Sequence, residues 1–395
     1  MQLLAQHGFG KTDKVEQGLL DRSIDGVVIS PRHENPTHLR EWIDSLRGDY
    51  PSVFVLFDPQ FYVGAYPGAS EGRLPEYPYF RTDLRKRDFV ARDSIKAYVS
   101  ATLDYQISLA PDRLVAPNVY VDSLDGAWAQ IAFSLMDEAQ SYRKTAGTKI
   151  PLILPICVAE ETLHPGPDLD EFLDTLTAQT EAAGFYISVS RASLAWDPEL
   201  SAEHLGCLMY ISYVLSAVNG LETHFAYSSF VAVPLSAVGA TSCACGWFNS
   251  LRRFSVFDLI PRRGSHAKER YSSAGLLNSI LRNPELIDMA RVLGNDMVFS
   301  HTNYDDDLMK HTGTAIWSPR TSALHHWAVL RQLVSAIEGQ QDLTSKLALL
   351  SAMVRDAKSR HAEYNEHGGL RLETSFAHLD EWNAAIAIFS ELLAH

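Results

Sequence analysis

Apolar and polar positions follow a regular rhythm over about the first 250 residues of this 395-residue chain. Short apolar runs that are rich in Val, Ile, Phe and Tyr, and are bounded by Gly, Pro, Asp or Asn, predict β-strands. Eight such runs occur, at residues 3–10, 26–32, 52–58, 114–122, 151–160, 184–191, 222–229 and 240–246. Apolar residues at helical spacing predict helices between them, at residues 37–46, 94–103, 127–139, 169–183 and 202–218.

This alternation indicates the fold class. Strands that alternate with helices and are apolar along most of their length are typical of a parallel sheet covered on both faces. Eight strand–helix units in about 250 residues fit a closed barrel better than an open doubly wound sheet. No strand leads into the Gly-x-Gly-x-x-Gly sequence of dinucleotide-binding folds. We therefore predict an α/β protein with a TIM-like (β/α)8 barrel.

The alternation stops near residue 257, and mainly helical spacing follows. Helices are predicted at residues 273–282, 284–293, 321–338, 342–363 and 379–395. The sequence thus predicts a barrel domain over 1–256 and a helical C-terminal subdomain, docked on the barrel, over 257–395. The apolar faces of residues 324–337 and 347–354 could alternatively form an interface with a protein partner or with a second copy of the chain.

Composition indicates a globular protein without a membrane segment. The chain is 46% apolar and 21% charged, and no apolar run approaches the roughly 18 residues of a membrane span. The N-terminus has no signal-like leader, so a cytoplasmic location is expected. Four cysteines lie inside predicted strands and a helix, which argues against a disulfide framework: Cys157, Cys207, Cys243 and Cys245. Cys243 and Cys245 supply only two of the four ligands of a structural zinc site, so neither a metal nor a cofactor is expected.

The charge distribution is uneven. A net charge of −14 argues against a nucleic acid covering the whole surface. One basic segment departs from this average: Arg252, Arg253, Arg262, Arg263, Lys268 and Arg270. A local basic loop on an acidic protein suits a phosphate-bearing ligand or an acidic partner. The arginines could equally pair with the chain's own acidic residues.

Three carboxylates are the candidate catalytic residues. Functional groups of such barrels stand at the carboxyl ends of the strands, at the mouth of the barrel. Asp58 ends a strongly apolar run, so we expect its carboxyl group to point into the mouth with a raised pKa. Asp122 and Glu160 follow later strands and could complete a carboxylate pair of the kind that glycosyl transfer uses. Asp58 could alternatively cap the next turn, and Asp122 the next helix.

Other strand ends supply candidate substrate-binding residues: Arg32, Gln60, Arg191, His224, Tyr227 and Trp247. Either arginine could hold a phosphate or carboxylate, or neutralise an acidic residue at the rim. His224 could move a proton or could be a satisfied histidine of the barrel wall. The long insertion after the third strand contains four tyrosines and could be a base-stacking lid or a loop held by its own side chains: Tyr62, Tyr66, Tyr77 and Tyr79.

In this order of elements the chain resembles the tRNA-guanine transglycosylase superfamily, including relatives that insert deazapurines into DNA. The family's strand leading to Asp-Ser-Gly-Gly-Phe, where the Asp contacts the exchanged base, is similar to Phe57-Asp58-Pro59-Gln60-Phe61. A helix with Leu39-Arg40-Glu41-Trp42 precedes it, and Asp93-Ser94-Ile95 follows the insertion. The strand at 184–189 resembles the family's Gly-Phe-Asp-Gly-Tyr-Ala-Val, and the segment 320–326 resembles its Ser-Arg-Ala-Tyr-Leu-His-His helix.

The resemblance implies a barrel that binds a nucleobase, with Asp58 contacting the base. The sequence departs from the family at two functional positions. The family's nucleophilic Asp on the last strand has no counterpart in Ser242-Cys243-Ala244-Cys245, and the zinc signature Cys-x-Cys-x-x-Cys is absent. A cysteine could replace the carboxylate only with changed chemistry, since a thiolate needs activation.

Three functions are compatible with these features. The first is a transglycosylase-like barrel that binds a nucleobase, nucleotide or flipped nucleic-acid base at its mouth, and modifies it if it is a transferase. The second is a catalytically inactive barrel that serves as a subunit of a larger nucleic-acid-processing or defence-type assembly. The third is an unrelated glycoside hydrolase that acts through Asp58, Asp122 and Glu160.

Overall fold

A computed structural model describes residues 1–192, 200–261, 268–305 and 317–394. Eight parallel strands form its main sheet: β1 Gln2–Gln6, β2 Gly26–Ile29, β3 Phe54–Phe57, β4 Leu114–Val115, β5 Leu152–Ala159, β6 Gly184–Ser190, β7 Glu222–Phe225 and β8 Ser242–Gly246. Their spatial order is β3-β2-β1-β8-β7-β6-β5-β4. A bridge between Leu56 and Arg113 joins the two ends of the sheet. The strands therefore form a nearly closed barrel, and the predicted TIM-like fold is confirmed.

Helices connect successive strands: α1 Lys14–Leu20, α2 Pro36–Asp49, α3 Tyr62–Ala65, α4 Arg92–Leu109, α5 Ala127–Ala146, α6 Pro167–Thr177, α7 Ala202–Tyr213 and α8 Ala232–Ala237. Helix α2 shows why the sequence forms them. The Asn35 side chain caps its first turn by accepting from the amide of Thr37, and Pro36 occupies the first helical position. Leu39 and Ile43 then lie on the buried face against the sheet.

Alternate strand residues fill the inside of the barrel. Apolar side chains of this inner cluster are Leu4, Val28, Phe54, Leu56, Val115, Ile153, Tyr186 and Ala244. Since side chains of a strand alternate between its two faces, the neighbours of Ala244 in β8, Cys243 and Cys245, lie on the outer face of the barrel. All four cysteines are buried and free of disulfides, and burial raises the pKa of Cys243 and of Cys245 to about 12.

The C-terminal region is not entirely helical. Strands β9 Arg270–Ser273 and β10 Asn278–Leu281 form an antiparallel hairpin where a helix over 273–282 was expected. The apolar residues of this segment also fit the spacing of a helix, but the chain reverses direction at Gly275. A Cβ atom at this position would lie 2.3 Å from the Met297 carbonyl oxygen. Five described helices follow: α9 Ile287–Leu293, α10 Asn295–Val298, α11 Pro319–Glu338, α12 Leu343–His367 and α13 His378–Leu392.

Helix α11 completes the ring of helices around the barrel. The Trp327 indole NH donates to the Cys245 carbonyl of β8 (2.8 Å), and Arg320 pairs with Asp13 (2.8 Å) just before α1. In the predicted division after residue 256, α11 belongs to the C-terminal subdomain, and these contacts dock it on the barrel. Leu324 and Leu350, on the faces considered as possible interfaces, are buried within the chain. None of the described helices is long and apolar enough to span a membrane.

Candidate ligand-binding site at the barrel mouth

The Asp58 carboxyl group lies fully buried immediately after β3. The backbone amide of Gln60 donates to its Oδ1 (3.0 Å), and the Tyr186 hydroxyl donates to its Oδ2 (3.3 Å). Burial raises the pKa of Asp58 to about 7, although both hydrogen bonds lower it. No positive side chain forms an ion pair with Asp58 within the described ranges. The carboxyl group can therefore change its protonation state near neutral pH.

Gln60 and Tyr227 cover Asp58 from the side of the mouth. The Gln60 side chain donates to the Tyr227 hydroxyl (3.3 Å) and accepts from the backbone amide of Arg32 (3.2 Å). Both residues have positive φ angles, 50° for Gln60 and 52° for Tyr227. Residues other than glycine rarely adopt this backbone conformation, and such backbone strain is common at functional sites. The structure thus brings together four of the expected site residues, namely Arg32, Asp58, Gln60 and Tyr227.

A cleft of about 760 Å³ opens above Gln60 and Tyr227, and Arg32, His33, Arg253 and Phe254 also line it. Phe9 stands at its rim with 55% of its surface exposed. The Phe9 ring stacks on Phe248 at 4.8 Å, with an angle of 23° between the rings. Burial lowers the pKa of the lining His33 to about 4, so this imidazole is neutral at pH 7. The rim therefore offers flat apolar surfaces.

Three buried polar side chains lack hydrogen-bond partners among the described residues. They are the hydroxyl groups of Tyr62 and Ser188 and the amide group of Asn118. Ser188 lies two residues after Tyr186 on β6, on the same face and closer to the mouth. Burial is the main cause of the raised pKa of the Tyr62 hydroxyl group. The negative charge of Asp58 contributes to the same shift, so the two groups lie close together. Unsatisfied buried polar groups are uncommon in folded proteins, so each of these groups is available to bind a water molecule, an ion or a ligand.

Glu160 and Arg191 lie together at the ends of β5 and β6. Arg191 Nε donates to Glu160 Oε2 (2.5 Å), and the backbone amide of Ala192 donates to Glu160 Oε1 (2.7 Å). His204 also lies 3.7 Å from this carboxylate. Glu160 is thus a buried member of an ion pair, which is the neutralising role that the sequence left open for Arg191.

Asp122 does not join Asp58. Its side chain is exposed, and it lines a separate acidic cleft of about 1370 Å³ together with Asp125, Glu161, His164 and Asp168. The chain turns outward after Val121, whose bridge to Val158 ends the pairing of this segment. Asp122 consequently lies in a different cleft from the one above Asp58.

His224 lies near the opposite end of the barrel from the mouth. Strand β7 begins at Glu222, so His224 is only its third residue, and its ring stacks on Phe54 at the start of β3 (5.8 Å). Its two ring nitrogens contact Ser242 Oγ (2.8 Å) and Glu222 (3.1 Å). His224 is the satisfied barrel-wall histidine of the alternative interpretation.

Trp247 packs beneath the rim and does not line the cleft. Its indole NH donates to the Phe9 carbonyl (2.8 Å), and its side chain is buried. The tyrosines of the insertion divide into two pairs. Tyr77 and Tyr79 are buried and bond to the Glu34 and Pro59 carbonyl groups, whereas Tyr62 and Tyr66 contact the mouth residues Phe254 and Tyr120. The insertion is therefore held by its own side chains and also covers one side of the mouth.

The basic segment is dispersed in the structure. Lys268 pairs with Glu373, Arg253 pairs with Asp258 (3.2 Å), and Arg270 donates to the Ser279 carbonyl (2.7 Å). Arg252 is buried and donates to the Gly246 carbonyl (3.0 Å). Arg262 and Arg263 lie outside the described residues. Among the described residues of the basic segment, Arg252 and Arg253 line pockets at or beside the mouth.

Sequence reasoning missed Tyr186, Asn118, Phe9 and Phe248. Tyr186 is interior to a strand, and only the barrel register places its hydroxyl beneath Asp58. Phe9 follows the first apolar run, so a strand-end rule could have found it if aromatic residues had been included with the polar ones. No group of three or more His, Cys, Asp or Glu side chains is arranged to hold a metal ion in the described part of the chain.

Fold and site together define a (β/α)8-barrel protein with a buried carboxyl group under an aromatic-rimmed mouth. No protein-family model matches the chain, and no curated protein is significantly similar to it in sequence.

Proposed function

We propose that this protein binds a nucleobase, free or as part of a nucleotide, in the mouth of the barrel, and that Asp58 contacts the base. The observation that carries the proposal is the buried Asp58 carboxyl group, which has no cationic partner among the described residues. Burial of a carboxyl group without a cationic partner lowers the stability of the fold. Proteins retain such a group where it serves a function such as ligand binding. A strand-end position in a (β/α)8 barrel is also where ligand-binding groups occur.

The surrounding groups suit a planar heterocycle with polar edges. An ionised Asp58 can accept two N–H bonds from the amide and amino groups of a base, and a protonated one can donate to a ring nitrogen. Further donors and acceptors are available from Gln60 and from Asn118 and Ser188, whose side chains have no hydrogen-bond partner in the described part of the chain. The stacked rings of Phe9 and Phe248 supply flat surfaces of the type on which bases stack.

Entry to Asp58 requires a local opening. Gln60 and Tyr227 line the cleft, whereas Asp58 lies beneath them. The Gln60–Tyr227 hydrogen bond (3.3 Å) must break for this opening, and a ligand that pairs with both groups would replace it. The positive φ angles of both residues make this cover a strained element that can be displaced.

The site supports binding without a covalent exchange of bases. The inner face of β8 ends in Gly246, and the two cysteines of that strand lie on its outer face as protonated thiols. Glu160 is engaged by Arg191, and Asp122 lies in another cleft. These positions favour a non-catalytic role, such as a base-sensing subunit, over a glycosidase that acts through paired carboxylates.

Isothermal titration calorimetry with adenosine, guanosine, cytidine and uridine tests the proposal. We expect at least one nucleoside to bind with one-to-one stoichiometry, and Asp58→Asn to weaken that binding by at least about tenfold, because the lost charge-assisted hydrogen bonds are worth more than about 1.4 kcal/mol. Asp44→Asn, an exposed change on α2, is the matched control and should bind like the wild type.

Two results would contradict the proposal. One is that no nucleoside binds at millimolar concentration. The other is that Asp58→Asn, shown to be folded by its melting curve, binds with unchanged affinity.

A further inference from the structure

A second pocket lies beside the mouth, between the ends of β6 and β7 and the segment after β8. The empty space of this pocket, together with the open solvent at its entrance, is about 450 Å³. Three arginines line it, together with two buried serines that follow β7: Arg191, Arg252, Arg253, Ser228 and Ser229. The remaining wall is apolar and includes Leu208, Phe225 and Phe254. Three cationic groups at one small pocket are unusual in a protein of net charge −14.

Arg252 differs from the other two arginines. Arg191 pairs with Glu160 and Arg253 with Asp258. The Arg252 side chain is 6% exposed, and its only hydrogen bond within the described part of the chain goes to the neutral Gly246 carbonyl. Among the described residues, the titratable groups that interact electrostatically with it are Cys245, Arg270, His325 and His326, and none of them supplies a carboxylate.

A buried guanidinium group without a carboxylate partner is costly. Burial lowers the pKa of Arg252, yet a guanidinium group remains protonated in proteins. An anion in the pocket would remove this cost. Arg252 is thus a buried, charged side chain in the wall of an open pocket. A charged group in this position indicates that the pocket binds an anionic ligand.

The pocket adjoins the cleft above Asp58. Tyr227, Arg253 and Phe254 line both spaces, so that they form a shared wall. A ligand with a planar group at one end and an anionic group at the other can therefore occupy both. The loops that follow the seventh and eighth strands are a frequent phosphate site in (β/α)8 barrels, and Ser228, Ser229 and Arg252 lie in these loops.

We propose that the ligand is a mononucleotide, with its base in the mouth and its terminal phosphate in the Arg252 pocket. This inference rests on the proposed function and names the class of its ligand. The guanidinium groups of arginine and the hydroxyl groups of serine can donate hydrogen bonds to the oxygen atoms of a phosphate monoester. A nucleic-acid strand is disfavoured because the basic segment does not continue the positive charge of the pocket. Its other described residues, Lys268 and Arg270, are engaged with Glu373 and Ser279.

Calorimetry with nucleoside 5′-monophosphates and the corresponding nucleosides tests the inference. We expect the monophosphate of the preferred base to bind at least about tenfold more tightly than its nucleoside. Arg252→Gln should abolish this difference while leaving nucleoside affinity within about threefold. Arg291→Gln removes an exposed arginine that pairs with Asp288 on α9 and should behave like the wild type.

A second measurement keeps the test decisive if Arg252→Gln does not fold. Inorganic phosphate, added to the wild type at constant ionic strength, should compete with the monophosphate and leave nucleoside binding unchanged. Equal affinities for nucleoside and monophosphate, with no competition by phosphate, would overturn this inference and leave the proposed function standing. Tighter binding of a single-stranded oligonucleotide than of any mononucleotide would also overturn it. Absence of nucleoside and nucleotide binding would overturn both.

Discussion

At pH 8 the Asp58→Asn variant is expected to be more stable than the wild type by about 4 kcal/mol. Burial raises the pKa of Asp58 from 3.8 to about 7 in the folded protein, and this difference corresponds to about 4 kcal/mol of lost stability once the group is ionised in both states. The asparagine side chain is of similar size and carries no charge. Its amide oxygen can still accept from the Gln60 backbone amide.

The stability difference between Asp58→Asn and the wild type should increase with pH. Below about pH 3 the carboxyl group is protonated in both the folded and the unfolded chain, so the wild type loses no stability. As the pH rises from about 4 to 7, only the unfolded chain releases the proton, so wild-type stability falls relative to the variant. The difference between wild type and variant should therefore be under about 1 kcal/mol at pH 4.

Urea titrations followed by tryptophan fluorescence at pH 4 and pH 8 measure both differences. Asp44→Asn on the surface of α2 is the control and should shift neither midpoint. Equal stability of Asp58→Asn and wild type at pH 8 would show that the carboxyl group is not desolvated as the structure indicates. Greater stability combined with weaker nucleoside binding would instead identify a residue kept for binding at the expense of folding.

Trp327→Ala is expected to destabilise the whole barrel by about 3–5 kcal/mol. The indole ring is 1% exposed between α11 and the barrel, and its NH bonds to the Cys245 carbonyl. Removing it leaves a large cavity at the contact that attaches α11 to β8. If α11 completes the barrel, fluorescence and far-ultraviolet circular dichroism should report one shared unfolding transition at a lower urea concentration.

Trp327→Phe is the matched variant. It keeps most of the ring volume and loses the hydrogen bond, so we expect a cost of about 1–2 kcal/mol. A separate early transition in Trp327→Ala, with the barrel unfolding at the wild-type midpoint, would show that residues after 257 form an independent unit.

Much of the candidate site was accessible from the sequence because strand ends converge in a barrel. Asp58, Gln60, Arg32 and Tyr227 each follow an apolar run, and the structure brings them into one network. Asp122 and His224 show where the rule fails. Strand β7 is shorter than its apolar run, and the chain after Val121 turns outward, so the residue that ends a pattern is not always the residue at the mouth.

By itself, the sequence determined the (β/α)8 architecture, since eight apolar runs separated by amphipathic segments can bury their apolar surface only as a covered parallel sheet. Only the tertiary structure decided which polar groups meet and which charges remain unpaired. The pairing of Arg191 with Glu160 depends on the register of strands far apart in the chain, and so does the burial of Asp58 and Arg252 without an oppositely charged partner among the described residues. A hydrophobic pattern indicates whether a residue is buried. Which charged groups form ion pairs depends on their distances in the folded protein. In this protein those distances separate the neutralised pair of Arg191 and Glu160 from the candidate binding site at Asp58.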